Sequence, residues 1–247
     1  MVEKYCRIGK WLEPSIKLSS EFDGYFVHQN LACCPGSKPT IAYFDWCKKP
    51  SELAQAIEEW TPVFPRKIIF MNEAFLNNGR LRGKENREWI VEKFWALKRS
   101  FPDAELWVTD YKPQCMPLWT GLREFLADTN LPIDGIGVHC YLELDRVAPI
   151  AATIAAYVSA ISIQTTINKS ITKTAFSEVG VFPRHDGVGL VDGYNAILTL
   201  SKILNVDWMN FWFLTDFDSW HWDPTKVRDC GLFDRNYQLK EGISLWH

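Results

Sequence analysis

The hydrophobic and polar positions of this chain alternate between two textures. Short runs rich in β-branched and aromatic residues, such as "RKIIFMNEA" (66–74), give way to longer stretches with apolar residues at helical spacing. In "NREWIVEKFWALKRSF" (86–101) those positions are Trp89, Ile90, Phe94, Trp95 and Leu97. The alternation continues with a strand at "AELWVTDY" (104–111), a helix at "MPLWTGLREFLADT" and a strand at "IDGIGVHCY" (133–141). "APIAATIAAYVSAISI" reads as a helix, "KTAFSEVGV" (173–181) as a strand, "GLVDGYNAILTLSKILN" as a helix and "WMNFWFLTD" (208–216) as a last strand. Each strand-helix unit takes ~30–40 residues, the size of a βα repeat in a parallel sheet. With no linker or composition shift dividing the series, the expected organisation is one domain over residues 1–247.

Two parallel architectures fit such a series, an open doubly wound sheet and a closed (β/α)8 barrel. A dinucleotide-binding open sheet would carry G-x-G-x-x-G after a strand, and neither that motif nor a phosphate-binding G-x-x-x-x-G-K-[ST] occurs. The expected fold is therefore the α/β (β/α)8 barrel of TIM type, whose catalytic groups gather where the C-terminal strand ends meet the βα loops. The polar residues fall there: Asn72 and Glu73, Asp110, His139 and Tyr141, Glu178, and Asp216.

The remaining composition narrows the class. The chain has 247 residues, 47% of them hydrophobic, with a formal net charge of -3. That charge provides no footprint for nucleic acid, and no run approaches the ~20 apolar residues of a membrane span, so neither is an expected partner. The first residues, "MVEKYCRIGKWLEPS", are charged where a secretory signal is apolar, so the chain as given reads as cytoplasmic. Seven scattered cysteines without a C-x-x-C pair argue against a disulfide framework. His28, Cys33, Cys34 and Cys47 match no common zinc-ligand spacing, so no metal is expected. Twelve Trp, eight Tyr and fifteen Phe exceed what a core alone usually needs, and composition leaves open whether the surplus rings pack internally or stack on a sugar.

Glu73 alone could pair with an arginine or cap the next helix. Glu178, at the end of a strand three further along, changes that weighting, because the two would face each other across a barrel mouth. Paired carboxylates across a cleft perform glycoside hydrolysis, one protonated to release the leaving oxygen and the other ionised at the anomeric carbon.

Six segments, "FMNEAF", "ELWVTDY", "IDGIGVHCY", "TAFSEVGV", "NFWFLTDFDSW" and "GLFDRNYQLK", occur in order over roughly residues 20–247. In this the chain resembles glycoside hydrolase family 10, the retaining endo-β-1,4-xylanases. The resemblance implies that Glu73, after the fourth strand, is the general acid/base and Glu178, after the seventh, the nucleophile, with no cofactor. It implies that Asn72 holds a sugar 2-hydroxyl, that Trp212 and Trp220 bound the sugar, and that His28 is a third-strand histidine. Lys10 resembles a sugar-binding lysine. The implied partner is a polysaccharide or oligosaccharide, and members of the family are commonly secreted; Asn168-Lys169-Ser170 would then be a glycosylation sequon.

Two departures stand out. Where the family has Gln-x-His after the sixth strand, this chain has His139-Cys140-Tyr141, a pattern similar to cellulase-like and mannanase-like relatives. Both side chains would face the nucleophile, Tyr141 donating to Glu178. The front is also short: 66 residues precede "KIIFMNEA", where three units would take roughly 90–120. The expected barrel is thus incomplete or irregular in its first strands. An opened front would leave edges for a neighbouring subunit or for residues 1–50 to cover, which makes self-association an expected consequence. The alternative to an enzyme is a catalytically weak carbohydrate-binding barrel, against which the retention of both glutamates speaks.

Overall fold

The computed structural model describes residues 3–7, 24–28, 40–44, 50–60, 65–72, 84–109, 126–127, 131–143, 171–182, 189–211, 230–234 and 238–243. Eight strands run through them: β1 (Glu3–Arg7), β2 (Gly24–His28), β3 (Thr40–Tyr43), β4 (Lys67–Asn72), β5 (Glu105–Thr109), β6 (Gly135–Glu143), β7 (Lys173–Phe182) and β8 (Trp208–Phe211). Every neighbouring pair is parallel, and β1 pairs with both β2 and β8, so the sheet closes into a barrel in chain order. Three helices lie among the described residues: α1 (Pro50–Trp60), α2 (Lys84–Ser100) and α3 (Leu190–Ile203). The five strands expected from β4 onward are present, as are the two helices expected at 86–101 and 189–205. The helix expected over "APIAATIAAYVSAISI" lies outside the described residues.

The front of the barrel is irregular, as the sequence predicts. It is abbreviated in its connections, while the strand count is full: β1 to β4 begin at residues 3, 24, 40 and 67. Strands of four or five residues still make three or four register pairs with each neighbour, which is enough to close the ring. His28 consequently ends the second strand, not the third, with β3 beginning only twelve residues later. The strand-edge reason for expecting self-association also falls away, since β1 has neighbours on both sides.

Side chains alternate between the barrel interior and the helical layer. Ile41, Ile69, Trp107, Ala175 and Trp208 form the interior cluster. Trp107 meets Trp208 edge to face, with ring centroids 5.0 Å apart at 80°. The indole fits because position 135 is glycine: a Cβ there would collide with the six-membered ring of Trp107. The alternate residues Ile68, Phe70, Leu106, Val138 and Val181 face outward onto the core shared with the helices. There Phe70 of β4 meets Phe94 of α2 edge to face at 4.6 Å. In α1, Pro50 occupies the first helical position, where its missing N–H costs nothing, and Leu53 and Ile57, one turn apart, face the core.

Below the tryptophans, at the N-terminal strand ends, the interior is ionic. Lys67 is nearly fully buried, with Nζ 3.4 Å from Glu105 Oε2; Lys173 bonds Glu105 Oε1, and Trp107 Nε1 donates to Oε2 at 3.2 Å. Burial opposes the charge on Glu105, but the Lys173 hydrogen bond and the nearby charges of Lys67 and Lys173 outweigh it and hold its carboxyl below the ordinary range. Burial likewise opposes the charge on Lys173, and Glu105, with Asp207 and Asp134 nearby, overrides it and raises the ammonium. The two aspartates also tie the strands at this end: Asp134 accepts from the Leu106 amide, and Asp207 from the Thr174 amide, both at 2.8 Å.

A lowered carboxylate contributes stability above its ordinary range and loses it as pH falls through its folded value. Glu105→Gln would also take from buried Lys67 the carboxylate 3.4 Å away. It should destabilise the protein at pH 7 by about 1–3 kcal/mol, the worth of a hydrogen bond to a charged group. The difference from the parent in thermal unfolding should shrink towards pH 3. An equal difference at both pH values would contradict this account of the cluster.

Candidate active site

The polar groups at the opposite, C-terminal end of the barrel are aimed by two irregularities in the strands. Opposite β5, Ile69 of β4 pairs with Trp107 and Met71 with Val108, so β4 has one residue more than its neighbour. Ile69 belongs to the interior cluster, whereas both Phe70 and Met71 pack in the outer core. A bulge of this kind puts consecutive side chains on one face and reverses the parity of the residues after it. Asn72, which strict alternation from Ile69 would send outward, therefore turns into the barrel and meets Thr109 and His139.

The same device acts in β7. Val138 of β6 pairs with Phe176 but His139 pairs with Glu178, leaving Ser177 extra; on the other side Phe176 pairs with Met209 and Val179 with Phe211. Phe176 and Val179 pack in the outer core, and the two residues between them face inward. Ser177 and Thr109 crowd Gly137, where a Cβ would come within 2.7 Å of both side chains, so glycine at 137 makes room for the bulge.

Four of the residues singled out from the sequence converge on this end. Tyr141 Oη donates to Glu178 Oε2 at 2.7 Å, and both side chains are buried. His139, with no exposed surface, lies with Nδ1 3.4 Å from Glu178 Oε2 and Nε2 3.2 Å from Asn72 Oδ1. Asn72 Oδ1 can only accept, so the proton shared with it sits on Nε2. Thr109 Oγ1 donates to the same oxygen at 2.5 Å. With Oδ1 occupied twice, the Asn72 amide hydrogens are the part of that side chain left to address a ligand. A continuous chain of contacts, Thr109 to Asn72 to His139 to Glu178 to Tyr141, thus spans β4 to β7. Phe182 backs the Tyr141 ring at 5.8 Å.

Glu73 directly follows Asn72 in the chain, and Trp212 directly follows Phe211, but Glu73, Trp212, Trp220 and Lys10 lie outside the described residues, as does the side chain of His28. Among the described residues no group of three or more His, Cys, Asp or Glu is placed to hold a metal ion. Thr109, Ser177 and Asn210 were not singled out from the sequence. Thr109 was within reach of it, because residues 105, 107 and 109 share the inner parity of β5; Ser177 and Asn210 were not, because their roles depend on the bulge.

Three comparisons bear on this geometry. A search of curated proteins found no match. Among solved structures, a psychrophilic glycoside hydrolase family 10 endo-β-1,4-xylanase superposes with a TM-score of 0.66 at 14% identity, covering 99% of this chain and 95% of that one. An endo-1,4-β-xylanase from Caldicellulosiruptor owensensis gives 0.66 at 13% identity over 98% and 95%. A mutant structure in complex with xylotriose gives 0.70 at 11% over 98% and 95%. At these identities the likeness establishes the (β/α)8 fold. The sequence profile of glycosyl hydrolase family 10 matches residues 53–245. That match spans β4 to β8 and every residue of the converging site, and the chain therefore belongs to glycosyl hydrolase family 10 and is a glycoside hydrolase.

Proposed function

We propose that this protein is a retaining endo-β-1,4-xylanase in which Glu178 is the nucleophile and Glu73 the general acid/base. The observation that carries the reading is the placement of Glu178: a buried carboxylate turned inward by the β7 bulge and held by the Tyr141 hydroxyl at 2.7 Å. Two further points support it. Asn72 stands at the end of β4 with Glu73 as the next residue, and the solved structures that share the fold include endo-β-1,4-xylanases and a xylotriose complex.

In this reading the Asn72 amide and the rings of Trp212 and Trp220 bind the sugar at the cleavage point, with His28 and Lys10 on the side of the non-reducing sugars. Glu73 protonates the leaving glycosidic oxygen while Glu178 attacks the anomeric carbon to form a glycosyl-enzyme. Glu73 then removes a proton from water as that water displaces Glu178, and the configuration is retained over the two inversions. The mechanism requires carboxyl groups ~5–5.5 Å apart. Tyr141 keeps one oxygen of Glu178 engaged, so the other is presented to the sugar.

One observation favours a second substrate. His139-Cys140-Tyr141 replaces the Gln-x-His of the xylanases and resembles cellulase-like and mannanase-like glycosidases, with the retaining chemistry unchanged. Reducing-sugar release from xylan, mannan and β-glucan, with Glu178→Ala as the blank, tests the assignment. Xylan should be the preferred substrate, and Glu178→Ala should lower turnover by about 10⁴-fold or more, as loss of a covalent nucleophile does. Preference for mannan or glucan would move the specificity; parent-like turnover by Glu178→Ala would overturn the mechanism.

The Tyr141 hydroxyl is a hydrogen bond to a reacting carboxylate, worth about 1.5–3 kcal/mol. Tyr141→Phe should therefore lower kcat by about 10- to 100-fold on an aryl β-xylobioside while the products keep the retained configuration. Unchanged kcat would remove Tyr141 from the site.

A further inference from the structure

The bulge that aims Glu178 has a dedicated partner on the next strand. The β7–β8 register steps from Phe176↔Met209 to Val179↔Phe211, so Asn210 alone faces the two residues Ser177 and Glu178. Met209 and Phe211 point outward into the core shared with the helices, and Asn210, between them, points into the barrel and is 1% exposed. Its Nδ2 donates to the backbone carbonyl of Ser177 at 3.3 Å. A bulge interrupts the regular ladder, and a side-chain donor aimed at its carbonyl fixes the local backbone in the bulged form.

We propose that Asn210 is a positioning residue for Glu178, holding the Ser177 peptide so that the next side chain faces the sugar. This rests on the reading of Glu178 as the nucleophile. Stability alone does not account for an asparagine here. Asn210 Oδ1 and the neighbouring Ser177 Oγ are buried and have no hydrogen-bond partner among the described residues, an arrangement that an apolar side chain of the same size would relieve. Trp208, two residues before Asn210 on the same strand, and the Trp107 ring it meets show that this barrel fills its interior with apolar groups where no polar one is required. The polar side chain thus sits where it costs stability, on the one peptide whose orientation decides where Glu178 points.

Activity and stability should separate when the amide is removed. Asn210→Leu keeps the branched shape and the number of heavy atoms and loses the donor. With an aryl β-xylobioside it should lower kcat by about 10- to 100-fold, the scale of a ~1 Å misplacement of a reacting group, with KM within about twofold of the parent. Its thermal midpoint should be at or above that of the parent. The loss should be the same for good and poor leaving groups, because bond formation to Glu178 is affected and protonation is not. If Asn210→Leu does not fold, Asn210→Val, which likewise has no donor and is smaller than leucine, is measured instead and should show the same split. A parent-like kcat, or a loss carried by KM, would overturn the proposal. Glu178→Ala in the same series keeps the two claims apart: inactive Glu178→Ala with parent-like Asn210→Leu refutes only the role of Asn210, whereas active Glu178→Ala refutes the nucleophile.

Discussion

Parity along the strands governs where every functional group of this barrel can point. In a closed ring of parallel strands a side chain faces either the interior or the helices, and it changes face at each residue. The interior of this protein is set from Ile69, Trp107, Ala175 and Trp208, which fill it below the mouth. From those positions strict alternation would carry both Asn72 and Glu178 outward. One extra residue in β4 and one in β7 reverse the parity just before each, and these two strands lead to the two carboxyl groups of the proposed mechanism. The inserted residue also needs space, and Gly137 on β6 is where that space is found.

The two ends of the barrel divide the work accordingly. At the N-terminal end Lys67, Glu105 and Lys173 neutralise one another, and Asp134 and Asp207 tie successive strands through backbone amides. Above them the Trp107–Trp208 pair closes the interior; each ring removes roughly 150–250 Å² from water. The proposed chemistry occupies the C-terminal end, where Thr109, Asn72, His139, Glu178 and Tyr141 form a linked series across β4 to β7. A barrel with brief connections in its first half keeps this division, because the site draws its described groups from strands four to eight, where the units are of ordinary length.

The sequence was legible where strands and helices alternate in units of ordinary length. β4 to β8 stand out, although β5 and β8 have only five and four residues, because each falls at the spacing of a βα repeat, and the polar residues at their ends marked the mouth. β1, β2 and β3 are no shorter but follow one another too closely for that spacing to frame them, and "TIAY" stays hidden. α1 was missed because its inward face rests on few apolar residues, Leu53 and Ile57 among them. His28 was assigned to the third strand for the same reason: with β3 unseen, the count slipped by one. The bulges lie deeper. Whether "AFSEV" runs straight or inserts a residue depends on its register with β6 and β8, which no local pattern contains. Asn72 and Glu178 were found from their place at strand ends and from the family resemblance, and parity would have argued against both.

The central claim is that the β7 bulge presents Glu178, and not another carboxylate, to the anomeric carbon. Incubation of the protein with a 2,4-dinitrophenyl 2-deoxy-2-fluoro-β-xylobioside should form a glycosyl-enzyme that hydrolyses slowly, so that the attacking residue keeps the sugar. Peptide mass spectrometry of the inactivated protein should locate one fluoro-sugar on Glu178. A label on Glu73 or any other residue, or full activity with no adduct, would contradict the account.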